Sequence, residues 1–239
     1  MRIAEHFRER IDSGALHPGD LLPSIKGLSE QFGVSTATAD RAMRLLREEG
    51  LVQGIAGVGT EVLGRPVALS SGSERHDRNG RTQSSWGTGE KSSGHQAAML
   101  AAPADVAAAL RIASGADVIR RTRVYRDARG IVAHSTSWIR SEFAKAVPEL
   151  LQNARLSNGF SVDQIARATG RSTVRRVDEE SARIATPDDL ELLELDRHTM
   201  AAILVLTSRF YDAAGEVLEF GVDLGAPGRT RILTSEVVE

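Results

Sequence analysis

The apolar positions of the first sixty residues fall into a series of short, separately punctuated runs. A charged amphipathic helix begins near Ile3. Ser24 then caps a helix over 25–32 that stops at Gly33, and Ser35 caps a second over 36–49 closed by Gly50. On that second helix Ala39, Ala42, Met43 and Leu46 share one stripe, which predicts packing against its predecessor. Two short helices joined through Gly33-Val34 have helix-turn-helix spacing. Residues 52–62, VQGIAGVGTEV, predict a hairpin whose tip carries no bulk. Alone it is compatible with a tight hairpin supporting the helices; after this helix pair it reads as a wing that approaches a DNA backbone or minor groove.

Periodicity then disappears. Between residues 65 and 95 Gly, Ser, Arg and Asn dominate, and only Val67, Ala68, Leu69 and Trp86 offer apolar surface. The composition predicts a flexible linker over 64–94, separating a domain at 1–63 from one at 95–239. Beyond it the pattern alternates. Helices are expected at 103–111, 141–151 and 161–169, and strands at 117–126, 131–139, 172–185, 201–211 and 216–224, with a further strand at 230–237. Thr186-Pro187-Asp188-Asp189 is a helix start with a capping hydroxyl, a proline in the first turn and two acids at the dipole's positive end. The segment from Arg123 (RVYRDARGIVAHSTSWI) aligns without gaps to the one from Ser208 (SRFYDAAGEVLEFGVDL), which predicts two similar hairpins. The fold class is α+β, the second domain being an antiparallel sheet with helices.

Charge modifies this picture. Of 30 Lys+Arg and 32 Asp+Glu, residues 1–63 hold 7 and 9, residues 64–95 hold 5 and 3, and the remainder 18 and 20. No region is a polyelectrolyte, so strong nonspecific attraction to nucleic acid is not expected. There is no cysteine, which excludes disulfides and thiolate metal sites and fits a reducing cytosol. No apolar signal core or membrane-length run is present, so a cytoplasmic location without membrane contact is expected.

The N-terminal residues Gly14, Pro18, Gly19, Leu22, Pro23, Ser24, Val34, Ser35, Thr38, Glu49, Gly50, Leu51, Gly57, Gly59 and Thr60 follow the winged-helix pattern of GntR transcription regulators. The chain resembles that family. It departs from the pattern at Ile25, where Glu is usual, at Thr36 and Asp40, where arginines are common, and at Gly54, Ile55 and Val58 in the wing. Residues 95–237 resemble the UTRA effector domain of the HutC branch, whose fold is similar to chorismate lyase. The resemblance rests on RRTRVYRD (120–127), STSW (135–138), Pro148-Glu149-Leu150, the A-T-P helix start and the hairpin ending at Glu219.

Base readout is expected from Thr36, Ala37 and Asp40 at the start of the second helix, and phosphate contact from Arg41, Arg44 and Arg47. The family pattern adds Ser24, Ser35, Thr38, Gly57, Gly59 and Thr60 to the DNA-facing set. Arg121 and Arg123 share a strand face with Ile119 and Tyr125 and can grip a carboxylate or phosphate, although a solvated or salt-bridged face is the more usual state of exposed arginines. The resemblance adds Ser135, Ser137 and Glu219 to an effector pocket. The six histidines show no ligand spacing, and no catalytic motif is present, so neither metal, cofactor nor catalytic residue is expected. The function implied is a ligand-responsive regulator, a repressor binding an inverted-repeat operator on double-stranded DNA as a homodimer and released by a small-molecule effector, for which an anion is one candidate. The alternatives are a small chorismate-lyase-like enzyme and a relative that has lost DNA binding.

Overall fold

The structure, a computed structural model, describes residues 2–64, 68–82, 89–157 and 159–233. It forms an N-terminal unit and a larger unit that begins at Ala68. The first contains α1 (Arg2–Asp12), β1 (Leu21–Leu22), α2 (Ile25–Phe32), α3 (Thr36–Glu48), β2 (Val52–Ile55) and β3 (Gly59–Val62). The strands form an antiparallel sheet in the order β1-β3-β2. Ile3, Phe7 and Ile11 of α1 recur every fourth residue and meet Leu28, Met43 and Leu46 in one buried core, with Ala39 and Ala42 in the expected stripe. Gly33 ends α2 in the left-handed region (φ 63°), where a side chain would be strained, and its amide reaches back to Ser29 O. Arg8 grips Glu49 through two hydrogen bonds of 2.7 and 2.6 Å, tying α1 to the end of α3.

The larger unit is a six-stranded sheet in the order β4-β5-β6-β9-β8-β7. Its strands are β4 (Lys91–Ala101), β5 (Asp117–Asp127), β6 (Gly130–Arg140), β7 (Arg175–Ile184), β8 (Ala202–Tyr211) and β9 (Val217–Gly225). The helices are α4 (Gly72–Thr82), α5 (Ala104–Leu110), α6 (Ser161–Thr169) and α7 (Pro187–Leu192). The two aligned segments form the β5–β6 and β8–β9 hairpins. In their register Thr136 pairs with Val222 and Ser137 with Gly221, which are one another's counterparts in the alignment, so the halves are related by a local two-fold. Gly130 and Gly215 take matching positive φ values of 108° and 79° at the hairpin turns.

Alternation along β5 sorts its residues. Val118 faces a core with α5, built from Val106, Leu110, Val217 and Phe220. Ile119 faces the opposite core with Ile139, Phe143, Leu150 and Ile165. Arg121, Arg123 and Tyr125 follow Ile119 on that second face.

Thr186 caps α7 as the sequence predicts. Its hydroxyl accepts the Asp189 amide and donates, like its own amide, to the Asp189 carboxylate. Arg183, and after it Thr186, hold that buried carboxyl at about 2. A depressed folded value means its contribution is complete above the unfolded value and lost as pH falls through the folded one. Asp189→Asn should therefore cost about 1 kcal/mol at neutral pH, with the difference from wild type shrinking between roughly pH 4 and 2. Paired urea melts check it; a difference constant with pH would contradict this origin.

Three expectations are corrected. The 141–151 segment is not one helix but two 3-10 turns, Ser141–Ala144 and Pro148–Leu151. Pro148 has no amide to donate and pushes Val147 out of helical space (φ −133°, ψ 75°). The expected linker at 64–94 contains α4 and the start of β4 instead, because buried charge pairs replace the missing apolar stripe. Of the strand expected at 230–237, Arg231 makes one parallel bridge with Leu69, and residues 234–239 lie outside the described residues.

Candidate DNA-reading helix and effector cavity

The candidate reading helix α3 opens on a hydroxyl pair. Ser35 Oγ accepts the Thr38 amide at 3.2 Å and lies 2.9 Å from Thr38 Oγ1. Ser24 Oγ accepts the Gly27 amide at 3.1 Å at the start of α2. A serine that accepts one amide keeps its own O–H to donate, so capping leaves Ser24 able to meet a phosphate. Thr36, Ala37, Arg41, Arg44 and Arg47 are exposed on α3, as are Gly57 and Gly59 at the wing tip, while Asp40 and Thr60 are half-buried. Asp40 binds Arg44 at 2.8 Å one turn along. One of the few cations on the reading helix is thus matched by an anion on the same surface, and a phosphate must compete for it.

In the larger unit a cavity of about 490 Å³ lies over β4, β5 and β6, walled by α4 and by the segment entering α6. Arg121, Arg123, Arg155 and His95 line it with Asn79, Ser92, Tyr125, Ser137, Phe160 and Ser161. Among the described residues no carboxylate does. Arg123 directs Nε to Tyr125 Oη at 2.9 Å and Nη1 to Ser137 Oγ at 3.0 Å, which fixes its plane. Ser135, Glu219 and Asp223 line a separate small void that shares Arg123, Ser137 and Phe160 with this cavity. Ser161, first residue of α6, donates to the Glu219 carboxylate.

The expected effector residues therefore divide. Arg123 and Ser137 line the cavity, whereas Ser135 and Glu219 line only the adjoining void. Arg121 lines it but is occupied otherwise: Nη1 donates to the carbonyls of Glu149, Leu150 and Gln152, and Nη2 to Ala154 at 2.7 Å. Carbonyls of the second 3-10 turn and of the segment after it have captured this guanidinium, which holds the cavity wall rather than standing open beside Arg123. The face is also buried rather than solvated, with Arg121 4 % exposed. His134 of β6 is buried with no hydrogen-bond partner on Nδ1.

The largest departure from expectation is α4. Arg75 is wholly buried, bound to Glu90 at 2.9 Å and Asp223 at 3.4 Å, donating to Ser70 O and lying 3.6 Å over the Tyr125 ring. Glu74 meets Arg231 at 2.9 Å, Asp77 meets Arg176 at 2.8 Å and His76 meets Asp163 of α6 at 2.9 Å. The Asp163 hydrogen bond raises the pKa of His76 above its ordinary value. Ser71 and Glu74 form a reciprocal cap: Ser71 Oγ accepts the Glu74 amide and the Glu74 carboxylate accepts the Ser71 amide. That S-x-x-E spacing is the signal in the sequence from which the helix was readable. His95 and Arg155 carry no comparable signal.

Residues 91–230, more than half of the chain, match the UTRA domain, and residues 1–62 match the bacterial regulatory proteins of the gntR family. The chain belongs to the UTRA-containing regulators of the gntR family. It is a transcriptional regulator with a DNA-binding head and an effector-binding UTRA domain. An HTH-type transcriptional regulator of Streptomyces coelicolor is 29% identical across 95% of this chain and 88% of its own. The mannosyl-D-glycerate transport/metabolism system repressor MngR of Escherichia coli is 44% identical over 61 residues, 26% of this chain and 25% of its own. PhnF from Mycobacterium smegmatis shares the fold, with a TM-score of 0.53 at 20% identity over 98% of this chain and 99% of its own. Among the described residues no helix is long and apolar enough to cross a membrane, and no cluster of acids and histidines could hold a metal ion.

Proposed function

We propose that this regulator is a cytoplasmic repressor that binds an inverted-repeat operator as a homodimer and releases it when an anionic small molecule enters the UTRA cavity. The observation that carries the effector class is the cavity lining, with three arginines, a histidine and no carboxylate among the described residues. An anion is stabilised there by charge and by fixed hydrogen-bond donors, whereas an ammonium group would find no counter-ion. Operator contact falls to Thr36, Ala37 and Asp40 for bases, and to Arg41, Arg44, Arg47, the capping hydroxyls and the wing tip at Gly57, Gly59 and Thr60 for the backbone. Release is a population shift: the effector binds better to a conformation whose heads are misspaced for the two half-sites. Asn79 and Gly80 of α4 line the cavity, so an occupant would touch the first helix that follows the head in sequence.

The test is a mobility shift with promoter duplexes in a salt series, repeated with small anions. Modest affinity and a shallow salt slope are expected, with release by at least one anion; a dimer that ignores every duplex overturns the reading. The Asp40–Arg44 pair adds a sharper expectation. Asp40→Asn removes an acid beside the phosphates and frees Arg44, so the slope of log affinity against log salt should steepen by about 0.9 for one added phosphate contact. An unchanged slope would remove Arg44 from the interface.

A further inference from the structure

We infer that His95 is the proton-binding member of the effector cavity, so that an anion and a proton enter the site together. This rests on the reading of the cavity as an anion site, and adds to it a ligand-linked titration.

The geometry begins with β4. Its pairing with β5 is interrupted by a bulge between Ser93 and Gln96, where Gly94 takes φ 63°. A bulge re-aims the side chain that follows it, and here His95 lines the cavity although β4 is an edge strand. Its Nε2 lies 2.8 Å from Ser92 Oγ. Among the described residues the charged groups that face it are all cationic: Arg121 and Arg123 from β5, and Arg155 from the segment before α6. Arg120 of β5 borders a hollow that His95 also lines. No ion pair joins His95 to a carboxylate among the described residues, in contrast to His76, which has Asp163 and Asp77. Burial first, then Arg123, Arg121 and Arg155, hold its pKa below the ordinary histidine value. The imidazole is therefore neutral in the empty cavity at neutral pH.

An entering anion changes the balance. Its charge offsets the guanidinium field that kept the ring neutral, and a protonated ring becomes a further donor to the anion. Linkage makes the effect reciprocal: the factor by which the anion favours protonation is the factor by which protonation favours the anion. The free value is depressed and the bound value lies higher, so affinity rises as pH falls through the bound value and levels off below the free one. The regulator then answers an anion more sensitively when the surroundings are acid.

The experiment uses the full chain and sulfate, an anion that does not titrate near neutrality. Histidine ring resonances are followed by NMR from about pH 5 to 8 with and without saturating sulfate, the His95 signal being assigned by its loss in His95→Gln. Backbone amides of Gly159 and Ser161, which line the same cavity, report occupancy independently. The expected result is a His95 midpoint that rises by about half a unit or more, matched by a roughly threefold or greater gain in sulfate affinity at acid pH. His95→Gln should bind sulfate with a flat pH profile, and His134, which lies outside the cavity lining, should move less. Occupancy without movement of the His95 midpoint, or a pH slope retained in His95→Gln, overturns the inference and leaves the anion site standing. Amides that ignore sulfate at every concentration overturn the anion site itself, and this inference with it.

Discussion

Arg75→Ala should destabilise the UTRA domain by about 3–5 kcal/mol, the penalty for removing one partner of a fully buried charge network. Glu90 and Asp223 lose their shared cation while both remain buried, the Ser70 carbonyl loses a donor, and the Tyr125 ring loses its stacked guanidinium. The loss exceeds that of any surface ion pair in the chain because water cannot replace the missing charge. Arg75→Lys should rescue little of it, since an ammonium cannot reach Glu90, Asp223 and Ser70 as a planar fork while stacking on a ring. Urea melts followed by circular dichroism measure the effect. A change below about 0.5 kcal/mol would place Arg75 among ordinary surface residues and contradict its role in seating α4.

Arg123→Lys should weaken anion binding about 10- to 100-fold, the range for losing a well-oriented hydrogen bond to a charged group. Arg123 lies in the cavity with its plane set by Tyr125 Oη and Ser137 Oγ. Lysine keeps the charge that Glu219 and Asp223 require nearby, so folding should survive while the oriented fork is lost. Arg121→Lys offers the contrast. Its nitrogens hold the Glu149–Ala154 carbonyls, so its replacement should loosen the loop and lower the melting temperature before it changes the chemistry of the site. Sulfate titration beside a thermal melt separates the two. Equal losses of affinity at both positions, with equal stability, would refute this division of labour.

Local patterns and pairwise spacing determined much of this protein. Caps at Ser24, Ser35 and Thr186, the stripe Ala39-Ala42-Met43-Leu46 and the duplicated D-x-x-G turns each depend on residues a turn or a hairpin apart, so the head and most strands of the sheet could be read from sequence. The head's shortage of basic charge, 7 Lys+Arg against 9 Asp+Glu, was equally visible, because charge is additive along a chain. What tertiary structure alone decided is where buried polar groups find partners. The helix α4 has no apolar side chain to advertise it; its anchors Glu90, Asp163, Arg176, Asp223 and Arg231 come from distant segments. Arg121 and Arg123 are equivalent in sequence, two apart on one strand face. They diverge because one meets the converging carbonyls of Glu149, Leu150, Gln152 and Ala154 and the other a hydroxyl pair beside an open cavity. Such partners, remote along the chain, leave no period in the sequence, and they determine which arginine ties down the cavity wall and which faces the cavity.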